Sequence, residues 1–143
     1  MTDLTDKPWM AVGETDDPYA VMESYEAAEA ITKGSPVELT NDGKVRAAPT
    51  TWYGFGVAVK AIGVGEVGPI LRRGRVKMVA NGAFTAAGVS VRNAGNGKVT
   101  ELTDQAVNEG GAANYTIYFS RKLGKGLQKA LADGDLIFVD VGA

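Results

Sequence analysis

The chain has no cysteine and no histidine among its 143 residues. That removes disulfides, thiol nucleophiles, thiolate metal sites and imidazole acid–base chemistry together. Catalysis would have to rest on carboxylates, Lys, Tyr or Ser, and no paired acids fall at the ends of the expected strands. Histidine is the commonest general base, so the sequence reads as a non-enzyme with no cofactor and no metal. No apolar run approaches the roughly 20 residues needed to cross a bilayer. The N-terminus, MTDLTDKPWM, carries acids where a secretory leader needs an apolar stretch. No membrane partner is expected.

The length suits one domain with a real core, and the hydrophobic share of 45% is ordinary for a globular protein. The net charge of −2 conceals a division. Residues 1–30 hold eight acids and one base, Lys7, whereas residues 31–143 hold fourteen bases and nine acids. Two readings of the acidic stretch stand: it lies on a basic surface, its own or a neighbour's, or it is a solvated terminus.

Two stretches repeat each other. Gly34, Val37, Gly43, Lys44 and Val45 recur 54 positions later as Gly88, Val91, Gly97, Lys98 and Val99. A second match, at an offset of 61, sets Lys60–Gly65 against Arg121–Gly126. Self-similarity of this kind means that one structural unit is used twice. The unit is β-rich. Val37–Leu39, the Asn41-Asp-Gly43 turn and Lys44–Arg46 predict a hairpin, since Asn or Asp before Gly suits the positive φ of tight turns. Val89–Arg92, Gly95-Asn-Gly97 and Lys98–Leu102 predict its copy. Further strands are expected at Gly56–Ile62, at Ile70–Arg73 after a turn ending at Pro69, at Arg75–Val79 beyond a kink at Gly74, and at Asn114–Lys122 and Asp135–Val141.

Residues 17–30 look helical by local rules, with Asp17 as a cap and Pro18 behind it. The counterpart of Met22–Lys33 in the repeat, Val76–Ala87, reads as strand and turn. Ala20–Tyr25 is therefore expected to be extended. The fold class is all-β: a small barrel or sandwich of two related β units, with at most one short helix near 127–132, in LQKALA. Residues 1–18 form an extended arm. Residues 19–143 form one β domain, its halves spanning about 19–74 and 75–143.

Gly63-Val-Gly65-Glu-Val-Gly68 matches a dinucleotide pattern whose chemistry requires a helix N-terminus after the glycines. Here Pro69-Ile-Leu-Arg-Arg-Gly74 follows, so a turn between strands is expected. Arg72, Arg73, Arg75 and Lys77 make a basic run without the aromatic ladder that stacks on nucleic-acid bases. A protein surface fits better than nucleic acid. Asp133, Asp135 and Asp140 are too few oxygens for a calcium loop. Trp9, alone in a polar arm, either packs back on the chain's own barrel or is an interface anchor. The cluster Trp52, Tyr53 and Phe55 at a strand entry reads first as core, with Trp52 and Tyr53 as candidate interface anchors. Arg72, Arg73 and Arg75 are the candidate charged contacts.

The run AITKGSPVEL…GKV, YGFGVAVKAIGVGEVGPILRRG, AFTAAGVSV…GKVTEL, from about Ala30 to Val141, resembles the capsid decoration, or cement, proteins of tailed bacteriophages. Gly65-Glu66-Val67 and Gly134-Asp135-Leu136 fill that family's Gly-acid-aliphatic step in the two halves. A 7-residue lengthening between Lys98 and Arg121, with LQKALA, departs from it. The resemblance implies a β-barrel-like virion protein made in the host cytoplasm. It would bind the major capsid protein on the capsid exterior, sit as a homotrimer at local threefold positions and stabilise the shell. The alternative is a glycan- or receptor-binding β module of a spike or tail, with Trp52 and Tyr53 lining a sugar groove.

Overall fold

In the computed structural model, the structure describes residues 2–48, 53–103 and 121–143, together with the backbone of 105–109 and 112–116. The elements that lie within the described residues are all strands: β1 (Val21–Glu26), β2 (Pro36–Leu39), β3 (Val45–Ala47), β4 (Gly56–Ala58), β5 (Val67–Val79), β6 (Ser90–Asn93), β7 (Val99–Glu101), β8 (Gln105–Glu109), β9 (Ala112–Thr116), β10 (Lys122–Gly126) and β11 (Leu136–Val141). Nine of them form one curled sheet in the order β3-β2-β4-β5-β11-β10-β6-β7, with β1 added alongside β5, while β8 and β9 pair separately. All of these pairings are antiparallel.

The repeat is visible bond by bond. Shifting β2 and β3 by 54 residues lands on the bounds of β6 and β7. Gly34 N donates to Ala58 O as Gly88 N donates to Gly126 O, and Ala27 N donates to Glu66 O as Ala80 N donates to Asp135 O. The first unit runs β1, β5 (first half), β4, β2, β3; the second runs β5 (second half), β11, β10, β6, β7. Each curls until its ends meet in a parallel bridge, Ala27 to Val45 in one and Ala80 to Val99 in the other. A sheet closed in this way has fewer open edges.

β5 thus ends one unit and begins the next, and the expected break at Gly74 is where it changes role. Gly74 has a φ of +127°, a value that suits glycine. The β1 ladder slips by one residue beside it, Val21 facing Arg73 but Met22 facing Leu71. Such a bulge bends a strand, and here it lets β5 serve two curled units. Pro69 lies inside β5 rather than ending a turn. It faces Ser24 at a position where β1 asks no hydrogen bond of it.

Several expectations are corrected. β4 stops at Ala58 instead of running to Ile62. The match at offset 61 is not structural: Gly63 and Gly65 lie in the turn before β5, but Gly124 and Gly126 lie in β10. The partner of Gly65 is Gly134, each donating its N–H to the equivalent alanine, Ala27 and Ala80. Offsets between equivalents grow from 54 (β2 to β6) to 68 (Gly56 to Gly124), an insertion of 14 residues rather than 7 that contains β8 and β9. The stretch 114–122 is accordingly divided between β9 and β10, with 117–120 outside the described residues.

LQKALA forms no helix. Its backbone is engaged elsewhere: Leu127 N donates to Phe138 O, Ala130 O accepts from Phe84 N, and Leu131 N and Ala132 N donate to Asp135 Oδ2. Six residues cannot nucleate a helix against such competition. Ala20–Tyr25 is extended, within and beside β1, as expected.

Two apolar clusters fill the two units. Ala27, Ile31, Val37, Val45, Ala58, Ile62 and Ile70 fill the first. The second holds Val76, Met78, Phe84, Val91, Val99, Ile137 and Val139, and also takes in Val57 and Leu71 from the first unit's strands. Those two residues face each other across β4 and β5 and lock the units together. Each fully buried side chain of this kind contributes roughly 1.5–3 kcal/mol.

Candidate partner-binding surface

The acidic N-terminal stretch lies on the chain's own body. Asp3 bridges Leu136 in parallel, Leu4 N donates to Leu136 O at 2.9 Å and Leu136 N donates to Thr2 O at 2.7 Å. Farther on, Gly13 N donates to Lys77 O at 2.8 Å and Lys77 N donates to Glu14 O at 3.1 Å. The stretch therefore covers the outside of β11 and the edge of β5.

Side chains fasten the same contact. Lys77 has no exposed surface, and its ammonium donates to Asp3 Oδ2 at 2.6 Å and to the Lys7 carbonyl at 2.7 Å. Burial pushes the Asp3 carboxyl up, but the hydrogen bonds from Lys77 and Thr5 outweigh it and hold the group below its ordinary value. Asp16 pairs with Lys7 and with Arg75, and Glu14 pairs with Lys33. A hydrogen bond from Ala11 N, then Lys33, holds Glu14 below its ordinary value as well.

Trp9 does not fold into this contact. It is 76% exposed. It borders a groove of about 390 Å³ whose apolar residues are Trp9, Met10, Met22 and Val59, with Lys7, Glu14 and Asp16 among the polar ones. Exposed apolar residues gathered beside a concavity mark interaction sites on soluble proteins. Met10, Met22 and Val59 were not singled out in the sequence. They come from three separate segments with no shared apolar period, so only the fold collects them.

The basic run does not form one patch. Arg72 lies over the Phe55 ring at 3.8 Å, donates to the Phe55 carbonyl and pairs with Glu23. Arg73 is exposed. Arg75 lies 5.0 Å from the centre of the Phe138 ring and donates to Asp16, and Lys77 is buried. Tyr53 is 62% exposed, and Trp52 lies outside the described residues.

The remaining acids have structural partners. Asp133 pairs with Lys98, Asp135 accepts from two backbone amides, and Asp140 faces Arg75 in the ladder. Among the described residues no group of three or more carboxylates is placed to hold a metal ion. No helix among them is long and apolar enough to cross a membrane. Gly63 and Gly65 lie in a turn leading into β5 and Gly68 lies within β5, so these glycines do not meet a helix N-terminus.

The sequence matches no protein-family model and no curated protein. The fold does have a likeness. The N base of head fiber gp8.5 of bacteriophage phi29 superposes with a TM-score of 0.55 at 13% identity, over 86% of this chain and 94% of that one. At that identity the likeness is one of fold. It spans nearly all of both chains, so it takes in both β units.

Proposed function

We propose that this chain is a structural protein of a phage virion that binds the outer surface of an assembled capsid and stabilises it, as trimers at local threefold positions. The observation that carries the reading is the shared fold with a phage head protein over almost the full length of both chains. It agrees with the sequence's resemblance to capsid decoration proteins. The exposed Trp9 beside an apolar groove adds a contact point, held on a segment fastened to β5 and β11 by backbone and side-chain bonds. A decoration protein needs a rigid body and an anchor rather than a reaction centre. Many modest contacts around a symmetry axis then sum to high avidity.

Co-sedimentation with capsids lacking this protein tests the reading. The expected result is saturable binding and a raised temperature of capsid disruption, with light scattering of the free protein reporting its oligomeric state. Absence of binding to such capsids would overturn it.

A further inference from the structure

The two units treat one edge differently. By the repeat, Ser24 of β1 stands where Lys77 stands in β5, and Met22 stands where Arg75 does, since β1 faces β5 as β5 faces β11. In the second unit that outer edge is covered. Lys77 N donates to Glu14 O at 3.1 Å, Lys77 O accepts from Gly13 N at 2.8 Å, and Arg75 N donates to Asp17 Oδ2 at 3.4 Å. The cover is charge-matched, with Asp16 paired to Arg75 and Asp3 to Lys77.

In the first unit the same edge is open. Ala27 N bonds inward to Glu66 O, so by alternation Tyr25 and Glu23 also bond toward β5, while Ser24 and Met22 turn their N–H and C=O groups outward. Among the described residues no backbone group bonds these outward groups. Val21 and Met22 are each 45% exposed, and Met22 also lines the groove beside Trp9.

We propose that this edge takes a strand from a partner protein: an extended segment with apolar residues at alternate positions and a basic residue among them. An added strand gains main-chain hydrogen bonds, and pockets for alternate side chains give the specificity. Charge decides the type of occupant. β1 itself carries Glu23 and Glu26, each with an exposed side chain, and no base, so the complement of this edge is basic where the cover on the second unit is acidic. A second copy fits poorly. Antiparallel self-pairing through Met22 and Ser24 sets Glu23 against Glu23, and directly opposed like charges destabilise a sheet. The proposal rests on the reading that this chain docks on a protein shell.

Amide hydrogen exchange and co-sedimentation test it together, with the full chain and the variants Ser24→Pro and Met22→Lys. Proline removes an N–H that the β1–β5 ladder does not use, and lysine at an exposed position repels a basic strand. The first probe is a synthetic decapeptide of alternating valine and lysine at about 1 mM, where weak contacts are populated; the second is capsids lacking this protein. Both probes are expected to slow exchange at Met22 and Ser24 about tenfold or more in the parent chain, and each variant is expected to weaken capsid binding about tenfold. Lack of protection by the peptide, or by capsids that the chain does bind, overturns the proposal. So does unchanged capsid binding by a variant whose melting temperature matches the parent's. Protection that rises with protein concentration alone assigns the edge to a second copy and overturns it too. Peptide protection without any capsid binding leaves the edge standing and removes the virion reading instead.

Discussion

Lys77 and Asp3, 74 positions apart in the chain, meet at 2.6 Å beneath the N-terminal segment, and the lysine has no exposed surface. Removing one partner of a buried pair leaves a charge without compensation, which costs about 3 kcal/mol or more. Asp3→Ala is therefore expected to lower the unfolding free energy by roughly that amount. Lys77→Met, which removes the buried charge itself, is expected to cost much less. Urea denaturation of the two variants measures the difference; equal effects would mean that the pair is not what fastens the segment. Deleting residues 2–16 takes away both acceptors of Lys77 at once, so a truncation aimed at partner binding must carry Lys77→Met to remain interpretable.

The same pair sets an acid dependence. Folding holds the Asp3 carboxyl below its ordinary value, because bonds from Lys77 and Thr5 outweigh burial. A carboxyl depressed by folding contributes stability that is present above its unfolded value and lost as pH falls through its folded value. The stability gap between the parent and Asp3→Asn is therefore widest near neutrality and closes in acid, below the ordinary carboxylate range. Denaturation midpoints of both proteins between about pH 7 and about pH 2 report it. A gap independent of pH would refute the assignment.

How far the sequence alone reached depends on the kind of signal. The hairpins at 36–47 and 90–101 were legible because turn glycines at fixed spacing carry a backbone requirement that local chemistry cannot hide: Gly43 and Gly97 have φ values of +78° and +77°. The extension of Ala20–Tyr25, against its local helical look, was legible only through the repeat. The failures are tertiary. LQKALA has helix-forming residues, but Phe84, Asp135 and Phe138 take up its backbone. The match at offset 61 aligned turn glycines with strand glycines, since letters do not record why a glycine is needed. The groove beside Trp9 joins Met10, Met22 and Val59, which no periodicity links.

Two glycines are needed for lack of a side chain rather than for a turn. Gly56 and Gly124 are equivalents in the two units. A Cβ on Gly56 would lie 2.6 Å from the Leu71 carbonyl oxygen, and one on Gly124 would overlap the Asp140 carbonyl. Neither obstacle is a flexible side-chain tip, so backbone would have to move. Gly124→Ala is expected to cost several kcal/mol and to give little folded protein. Gly43→Ala, with open space but positive φ, should cost about 1–2 kcal/mol. Equal melting temperatures for the two variants would contradict this ordering.

Glu38 is 2% exposed and pairs with Arg46 across the β2–β3 hairpin, while its Oε2 has no hydrogen-bond partner among the described residues. A carboxylate buried with one oxygen unsatisfied depends on its cation. Arg46→Met is expected to cost about 3 kcal/mol. In the double variant Glu38→Leu, Arg46→Met, most of that loss is recovered, because no buried charge is left behind. The repeat supports the second expectation: the positions equivalent to Glu38 and Arg46 are Arg92 and Thr100, so the hairpin forms without this pair. A double-mutant cycle by chemical denaturation measures the coupling, and additive losses would show that Glu38 is satisfied in some other way.

Trp9 separates folding from binding. At 76% exposure it adds little to the core, and surface substitutions away from special features usually change stability by no more than about 0.5 kcal/mol. Trp9→Ala should therefore keep the parent's melting temperature. If the groove is the docking point, the same variant loses at least about tenfold in capsid affinity, as truncation of a central aromatic anchor commonly does. Met10→Ala, on the same groove, should weaken binding less, since methionine brings less rigid contact area than tryptophan. Tyr19→Ala is the control: the residue is 88% exposed and does not line the groove, so neither stability nor binding should change. Capsid binding that falls equally for Tyr19→Ala and Trp9→Ala would move the docking point away from the groove, and unchanged binding by Trp9→Ala would remove Trp9 as the anchor.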